Sequence, residues 1–151
     1  MAVELAGELG ARIVRSSPLR RARETAAPLG ARWEAEVVVD AAFGEVPSPS
    51  ASLAERGPWL QWALGARWHE LGEGVDAWRA ALLEAVRSTA VDTVAFTHFV
   101  AINAVVADAT ADDAVTCFLP AHTSVTQLWV DPVDRSVRVV RLGSEAAPEL
   151  R

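Results

Sequence analysis

The sequence predicts an α/β domain with a mostly parallel sheet, and three observations support this fold class. Two short apolar segments, Arg12–Arg15 and Glu36–Asp40, are predicted to be strands on either side of a helical segment. A strand, a helix and a strand in quick succession favour a right-handed parallel crossover. A third apolar strand, Thr93–His98, is followed at once by an apolar helix over 99–106. With 151 residues, the chain is long enough for a single domain over 1–151 with its own core.

The composition indicates a globular protein with excess negative charge. Apolar residues make up 51% of the sequence and the net charge is −6, which argues against nonspecific nucleic-acid binding and against an anionic membrane surface. No apolar run reaches the ~18 residues of a membrane span, and no charged-then-apolar leader opens the sequence. The single cysteine, Cys117, excludes an internal disulfide and fits a reducing compartment. We therefore expect a cytoplasmic protein that binds neither nucleic acid nor membranes.

Apolar spacing predicts two further helices and three C-terminal strands. The first helix spans residues 2–9, where apolar side chains recur at near-helical spacing before Gly10. A second amphipathic helix spans 77–87. The strands are predicted over Val115–Leu119, Ser124–Val130 and Ser136–Arg141, and the last two form a hairpin.

One segment combines a helix start with several arginines. Ser17 is a good N-cap residue, and Pro18 suits the first helical position because it has no amide proton to leave unpaired. We therefore predict a helix from Pro18 to Ala27 that is ended by Pro28 and Gly30.

Three arginines, Arg20, Arg21 and Arg23, fall in the first two turns of this helix. Free backbone amides and the positive end of the helix dipole already favour an anion there, such as a phosphate. The planar guanidinium adds donors whose geometry matches phosphate oxygens. A local basic cluster in an acidic protein therefore indicates a small anionic ligand. On spacing alone, a solvated basic helix face is an equally good interpretation.

The segment after the second strand is predicted to be a loop over 41–58, because it is rich in proline and serine. It leaves the carboxyl end of a parallel strand, where open α/β sheets place their ligand sites. Glu45 is the one carboxylate between residues 41 and 50. Glu45 is thus a candidate site residue, and an exposed loop glutamate without a function is the alternative.

Four of the six tryptophans fall between residues 59 and 78. A platform for stacked bases is one interpretation, but the negative net charge disfavours it. Packing of a helical insert against the sheet is the favoured interpretation. We expect residues 41–75 to form a loop and helical insert that serves as a lid or as one wall of a pocket.

His98 ends the third predicted strand, immediately before a helix. A histidine at the carboxyl end of a parallel strand is well placed for chemistry, and the following helix N-terminus favours anion binding. The alternative is a structural role, which is commoner for a lone histidine. His69 is predicted to be a surface or packing residue and His122 a loop residue. Three scattered histidines and one cysteine give no metal-ligand spacing.

The arginine segment resembles a signature of a known family. The pattern Ser-x-Leu-x-Arg-Ala-x-x-Thr-Ala, the second signature of the histidine phosphatase (phosphoglycerate-mutase-like) superfamily, is matched by Ser17, Leu19, Arg21, Ala22, Thr25 and Ala26. The stretch Thr97-His98-Phe99 resembles the family's second histidine, although the family usually has glycine after it. The resemblance implies a three-layer α/β/α fold with a mostly parallel sheet.

The resemblance also implies a reaction and a role for each candidate residue. In the family, phosphomonoesters are cleaved through a phosphohistidine, without a metal or organic cofactor. Arg21 would grip the phosphoryl group, and His98 would donate to its nonbridging oxygens as a catalytic residue. Glu45, with Glu55 as second candidate, would act as acid and then as base.

The family's first motif, a strand ending in Arg-His-Gly, has no counterpart here, since none of the three histidines is followed by glycine. In the family this strand is central and carries the nucleophile, so the resemblance implies unpaired edges on its neighbours. Either the sequence is truncated, or another chain compensates, as in a homodimer, or this is a noncatalytic relative. Such a relative would be a module for phosphate ligands or for protein interaction. In each case the expected ligand is a small phosphorylated substrate or phosphate ion.

A third interpretation is an unrelated α/β domain in which the arginine motif arose by chance. It predicts that Arg21 and His98 lie far apart, whereas the family resemblance predicts that their side chains converge at the carboxyl edge of the sheet. The distance between these two side chains therefore separates the interpretations.

Overall fold

The structure, a computed structural model, describes residues 13–50 and 52–146. Its strands are β1 (Ile13–Ser16), β2 (Val37–Val39), β3 (Thr93–Phe96), β4 (Gln127–Val130) and β5 (Val137–Arg141). Its helices are α1 (Arg20–Trp33), α2 (Leu53–Leu64), α3 (Glu73–Arg87) and α4 (Phe99–Thr110), with short 3₁₀ helices at Ala41–Phe43 and Trp68–Glu70. None of these helices combines the length and apolar character needed to cross a bilayer. The helix predicted over 2–9 lies outside the described residues.

β1 is the middle strand of a three-stranded parallel sheet in the order β2–β1–β3. Val14 of β1 pairs with Val37 of β2 and with Val94 of β3. The Val14 side chain is fully buried, as expected for a central strand of a parallel sheet that helices cover. β4 and β5 form a separate antiparallel hairpin. The predicted α/β fold with a parallel sheet is confirmed.

Among the described residues, the parallel sheet has two edge strands, β2 and β3, and both strands of the hairpin are edge strands. Within the two described ranges, β3 pairs only with β1, and β4 pairs only with β5. The backbone groups on the other edge of β3 therefore have no strand partner among the described residues.

The helix predicted to end at Pro28 continues to Trp33, so that boundary is wrong. Pro28 lies inside α1, where it removes one backbone hydrogen bond. Packing outweighs this loss, because Ala26 and Leu29 are fully buried in a small core between α1 and the sheet. The helix ends where Glu34 takes a left-handed conformation, with φ of 51°.

Gly30 sets how closely α1 approaches β2. A Cβ atom on Gly30 would lie 2.7 Å from Val37 Cγ2 and 3.0 Å from the Ala35 carbonyl oxygen. The first distance is shorter than any ordinary contact between nonbonded carbon atoms, so a side chain here would require the Val37 side chain or α1 itself to move.

The tryptophans of the central segment mostly pack in the interior. Trp68, with only 1% of its surface exposed, belongs to the main hydrophobic core with side chains of α3 and α4. The guanidinium of Arg79 lies 4.6 Å from the centre of its ring. Trp59 and Trp78 pack against the same core, whereas Trp62 is 52% exposed. Packing of the helical insert thus explains three of these four residues.

The strand predicted over Val115–Leu119 is wrong, although the segment is apolar for a good reason. Val115 and Phe118 are buried in the core. The backbone amides of Cys117 and Phe118 donate to Asn103 Oδ1 of α4, at 2.9 and 3.1 Å. Asn103 is itself fully buried, so its side-chain amide takes the place of a neighbouring strand.

Candidate functional site

Three chain segments meet at the carboxyl ends of the parallel strands. β1 and β3 end side by side, with Ser16 paired to Phe96, and the Ser17 amide donates to the Phe96 carbonyl at 2.9 Å. α1 follows β1 and α4 follows β3, while the segment after β2 leads through a 3₁₀ helix to Glu45. Because parallel strands end at the same edge of a sheet, these segments bring their side chains together.

Arg21, Glu45 and His98 form one cluster at this edge, the Arg21–Glu45–His98 cluster. Arg21 Nη2 donates to His98 Nδ1 at 3.2 Å and also to the Glu45 carboxylate. Glu45 Oε2 lies 3.6 Å from His98 Nδ1. The predicted convergence of Arg21 and His98 is therefore observed, and the interpretation that places them far apart is wrong.

The cluster is closed at one end and open at the other. The His98 side chain is 5% exposed and that of Glu45 18%, whereas the Arg21 side chain is 62% exposed. A ligand from solvent can therefore reach the guanidinium of Arg21, and the imidazole of His98 forms the floor beneath it.

Burial lowers the pKa of His98 below its ordinary value, because the imidazolium would lose its solvation. The negative charge of Glu45 opposes this effect, and the positive charge of Arg21 adds to it. Since burial is the largest of the three causes, the neutral imidazole is favoured at neutral pH. A bound anion would favour the imidazolium instead.

Ser17 contacts His98 and is not the N-cap residue that the sequence predicts. Leu19 occupies the N-cap position of α1, and its amide donates to Ser17 Oγ at 3.2 Å. Ser17 Oγ also lies 2.7 Å from His98 Nε2, and both residues are buried. Sequence reasoning missed this contact, although each residue closely follows one of two strands predicted to be parallel.

The position of Glu45 is set by bonds between its segment and the two neighbouring strands. Arg15 of β1 forms an ion pair with Asp40 at 2.8 Å, just after β2. Thr97, just after β3, donates from its hydroxyl to the Phe43 carbonyl at 2.7 Å. These contacts hold both ends of the turn that leads into Glu45.

The other acidic and basic candidates make different contacts. The Glu55 carboxylate accepts a hydrogen bond from the Ser50 hydroxyl, and no contact with the cluster is found among the described residues. Arg20 is 84% exposed and pairs with Glu24, one helical turn along α1, at 2.7 Å. Arg20 thus fits the solvated basic face, whereas Arg21 is the arginine that contacts Glu45 and His98.

The remaining two histidines lie in other surroundings. His69 Nδ1 is 2.6 Å from Asp113 Oδ2 at the surface. His122 lines a shallow hollow with Ser124 and Arg141, in which no member of the cluster takes part. Across the described ranges, no three histidine, cysteine or acidic side chains are grouped so that they could hold a metal ion.

The cluster has the chemistry of an oxyanion site with an acid–base group beside it. Arg21 supplies donors in a planar fork, and its position in the first turn of α1 adds the positive end of the helix dipole. His98 can donate from Nδ1 once it is protonated, and the Glu45 carboxyl can give or take a proton.

The chain belongs to the histidine phosphatase superfamily (branch 1), whose family model matches residues 1–143. This confirms the family resemblance that the signature around Arg21 indicates. No curated protein sequence matches the chain significantly.

Several solved structures share the fold. The native structure of a mycobacterial glucosyl-3-phosphoglycerate phosphatase is 25% identical, with a TM-score of 0.65, over 96% of this chain and 83% of that chain. The complex of that phosphatase with inorganic phosphate is 26% identical, with a TM-score of 0.63, over 97% of this chain and 82% of that chain. A mutant phosphoserine phosphatase from Entamoeba histolytica, in complex with phosphoserine, is 18% identical, with a TM-score of 0.66, over 95% of this chain and 80% of that chain.

Proposed function

We propose that the chain is a phosphomonoester hydrolase domain of the histidine phosphatase type, and that the Arg21–Glu45–His98 cluster binds the phosphoryl group. The contact of Arg21 with both other members is the observation that carries this proposal. It places a guanidinium, an imidazole and a carboxylate around one point at the carboxyl edge of the sheet.

The contacts support a separate role for each residue. Arg21 binds the nonbridging oxygens from the solvent side, and His98 donates to them from the floor after taking up a proton. Glu45 binds Arg21 and would release it when a phosphoryl dianion enters. If a nucleophilic histidine were supplied, it would take the phosphoryl group as the phosphorus–oxygen bond breaks, and a protonated Glu45 beside the ester oxygen would give its proton to the leaving group.

The structural relatives support a phosphoryl ligand. The mycobacterial glucosyl-3-phosphoglycerate phosphatase has been solved with inorganic phosphate at 26% identity to this chain, and also with a vanadate at 26% identity. We propose that the same class of tetrahedral or vanadate-like anion binds between Arg21 and His98.

We further propose that these 151 residues bind phosphomonoesters without turning them over. The sequence contains no Arg-His-Gly motif. His98 is held by Ser17 and Arg21, and His69 by Asp113. A nucleophilic histidine would have to come from residues beyond this sequence or from a partner chain. A noncatalytic module for phosphate ligands or protein interaction is the second candidate, and the same lack of a nucleophile favours it.

A titration with inorganic phosphate, followed by calorimetry, tests the binding site. Arg21→Ala should weaken binding by about 1.5–3 kcal/mol, because it removes hydrogen bonds between charged groups. Arg20→Ala is the matched control and should change binding far less, since Arg20 is 84% exposed and pairs with Glu24. Equal losses in the two variants would mean that the arginines form only a diffuse basic face.

A phosphoenzyme assay distinguishes the two candidate functions. After incubation with a labelled phosphomonoester and acid quenching, only a hydrolase with its nucleophile in place can carry label on a histidine. A chain that binds phosphate but stays unlabelled, even after a strand ending in Arg-His-Gly has been added at its N-terminus, is the noncatalytic module.

A further inference from the structure

Both ring nitrogens of His98 have a partner, and the two partners together determine where the ring proton lies. Arg21 Nη2 is 3.2 Å from Nδ1, and Ser17 Oγ is 2.7 Å from Nε2. A guanidinium has donors only, so Nδ1 must be the unprotonated, accepting nitrogen. The single proton of the neutral imidazole therefore lies on Nε2 and is donated to Ser17 Oγ.

Ser17 is built to accept that proton. Its residue is fully buried, and its backbone amide is tied to the Phe96 carbonyl at 2.9 Å. Its hydroxyl oxygen also accepts from the Leu19 amide at 3.2 Å, so two donors point at the two lone pairs of one oxygen. The acceptor is thus fixed by backbone contacts on both sides.

We infer that Ser17 is a positioning residue for His98, which keeps the ring proton on Nε2 and leaves Nδ1 facing the ligand. The role of Nδ1 toward a phosphoryl oxygen rests on the function proposed above, but the proton position does not. When a phosphoryl dianion enters, Nδ1 takes a proton from solvent and donates it in a hydrogen bond to the ligand. The proton on Nε2 stays there and is still donated to Ser17 Oγ, so the ring need not turn.

The test uses two neighbouring serines that are both fully buried. Ser17→Ala removes the acceptor of the Nε2 proton. Ser16→Ala removes the same atom one residue earlier, where the Ser16 hydroxyl donates to the Ser17 carbonyl at 3.0 Å instead of contacting His98. Any general effect of deleting a buried hydroxyl at the end of β1 should appear in both variants.

The first measurement is ¹⁵N NMR of the histidine ring nitrogens in the full chain without ligand, with His98→Gln to identify the signals of His98. Wild type and Ser16→Ala should show a protonated Nε2 and a bare Nδ1. In Ser17→Ala the buried Nε2–H has no acceptor, which is unfavourable, so the fraction of His98 protonated at Nδ1 should rise. The Nδ1–H would then donate to Glu45 Oε2, which lies 3.6 Å away, and Arg21 would keep its bond to Glu45 and lose the one to Nδ1. A wild type with a protonated Nδ1, or a Ser17→Ala signal identical to wild type, would overturn the inference.

The second measurement is the phosphate titration of the same proteins. Ser17→Ala should bind inorganic phosphate about 3- to 10-fold more weakly than wild type, and Ser16→Ala should bind like wild type. If wild type binds no phosphate, the proposed function fails, while the NMR result still decides the role of Ser17. If wild type binds phosphate and both serine variants bind equally well, the function stands and the positioning role is wrong.

Discussion

The two turns that follow β1 and β3 build the site from the same topology but with opposite exposure. The turn after β1 leaves three residues before α1, and the side chain that it contributes to the cluster, Arg21, lies inside the helix and is 62% exposed. The turn after β3 leaves two residues before α4, and His98 is itself the N-cap and is 5% exposed. The first turn extends a permanent charge toward solvent, whereas the second holds a titratable ring still. We therefore expect changes in the first turn, at Arg21, to alter anion affinity. Changes in the second turn, at His98, should alter the pH dependence of stability.

The largest expected effect comes from adding a nucleophile to these two turns. In the proposed function Arg21 and His98 bind the phosphoryl group without attacking it, so the 151-residue chain should not hydrolyse a generic aryl phosphate. A variant extended at its N-terminus by a strand ending in Arg-His-Gly should hydrolyse it, which an initial-rate assay measures. The added histidine attacks phosphorus while the two turns stabilise the charge.

The control for this gain is the same extension with its histidine changed to alanine, which should be inactive. Robust turnover by the unextended chain that His98→Ala abolished would contradict the roles given to the two turns. His98 would then be the nucleophile and not a fixed donor.

The second prediction tests the buried turn through the pH dependence of stability. Burial lowers the pKa of His98 in the folded protein below its ordinary value of 6.5, which applies to the unfolded chain. At a pH between the folded and the unfolded pKa, the unfolded chain therefore binds more protons. The free energy of unfolding should therefore fall as the pH drops below about 6.5, by at most about 1.4 kcal/mol per pH unit. Urea unfolding at a series of pH values measures this slope.

His98→Gln should flatten that slope, and His122→Gln is the matched control because His122 lies in a different, exposed loop. A slope that His98→Gln leaves unchanged would mean that the second turn does not set the pH dependence. The contrast between the two turns would then be one of exposure only.

The smallest expected effect concerns the carboxylate that both turns share. Glu45 binds Arg21 and lies near His98, so it competes with an incoming anion for the same donors. Glu45→Gln should tighten phosphate binding roughly 2- to 5-fold, because it removes a negative charge from a partly exposed site. Calorimetry would measure this change. Weaker binding in Glu45→Gln would show that Glu45 organises Arg21 for the ligand and does not oppose it.

Local patterns predicted the three parallel strands and the helix after β3 well, because the signals that define them span only a few residues. They did less well over 41–58, which was predicted to be a loop, since α2 already begins at Leu53. β1, β2, β3 and α4 each coincide with an apolar run whose neighbours are turn-forming or charged. The meeting of Arg21 with His98 could also be predicted, since parallel strands end at one edge of the sheet.

The features that the sequence did not predict depend on contacts between distant residues. Pro28 is a strong local stop signal, and the burial of the helix around it overrides that signal. The apolar segment over Val115–Leu119 looks like a strand, but its amides bond to the side chain of Asn103, 14 residues away from Cys117 in sequence. The Ser17–His98 bond joins residues 81 apart, and no local pattern distinguishes it from an N-cap.

The close contact of Gly30 with β2 fixes the position of α1 along the sheet, and with it the direction in which Arg21 points. The helix is pressed against β2 at Gly30, and Arg21 lies nine residues before that point, about 13 Å along the axis. Inserting one residue between Arg21 and Gly30 would turn the guanidinium by about 100° around the helix axis, while the contact of Gly30 with β2 stayed in place. The spacing between these two residues therefore sets the aim of the charge, and a library of insertions in α1 should tolerate length changes after Gly30 better than before it.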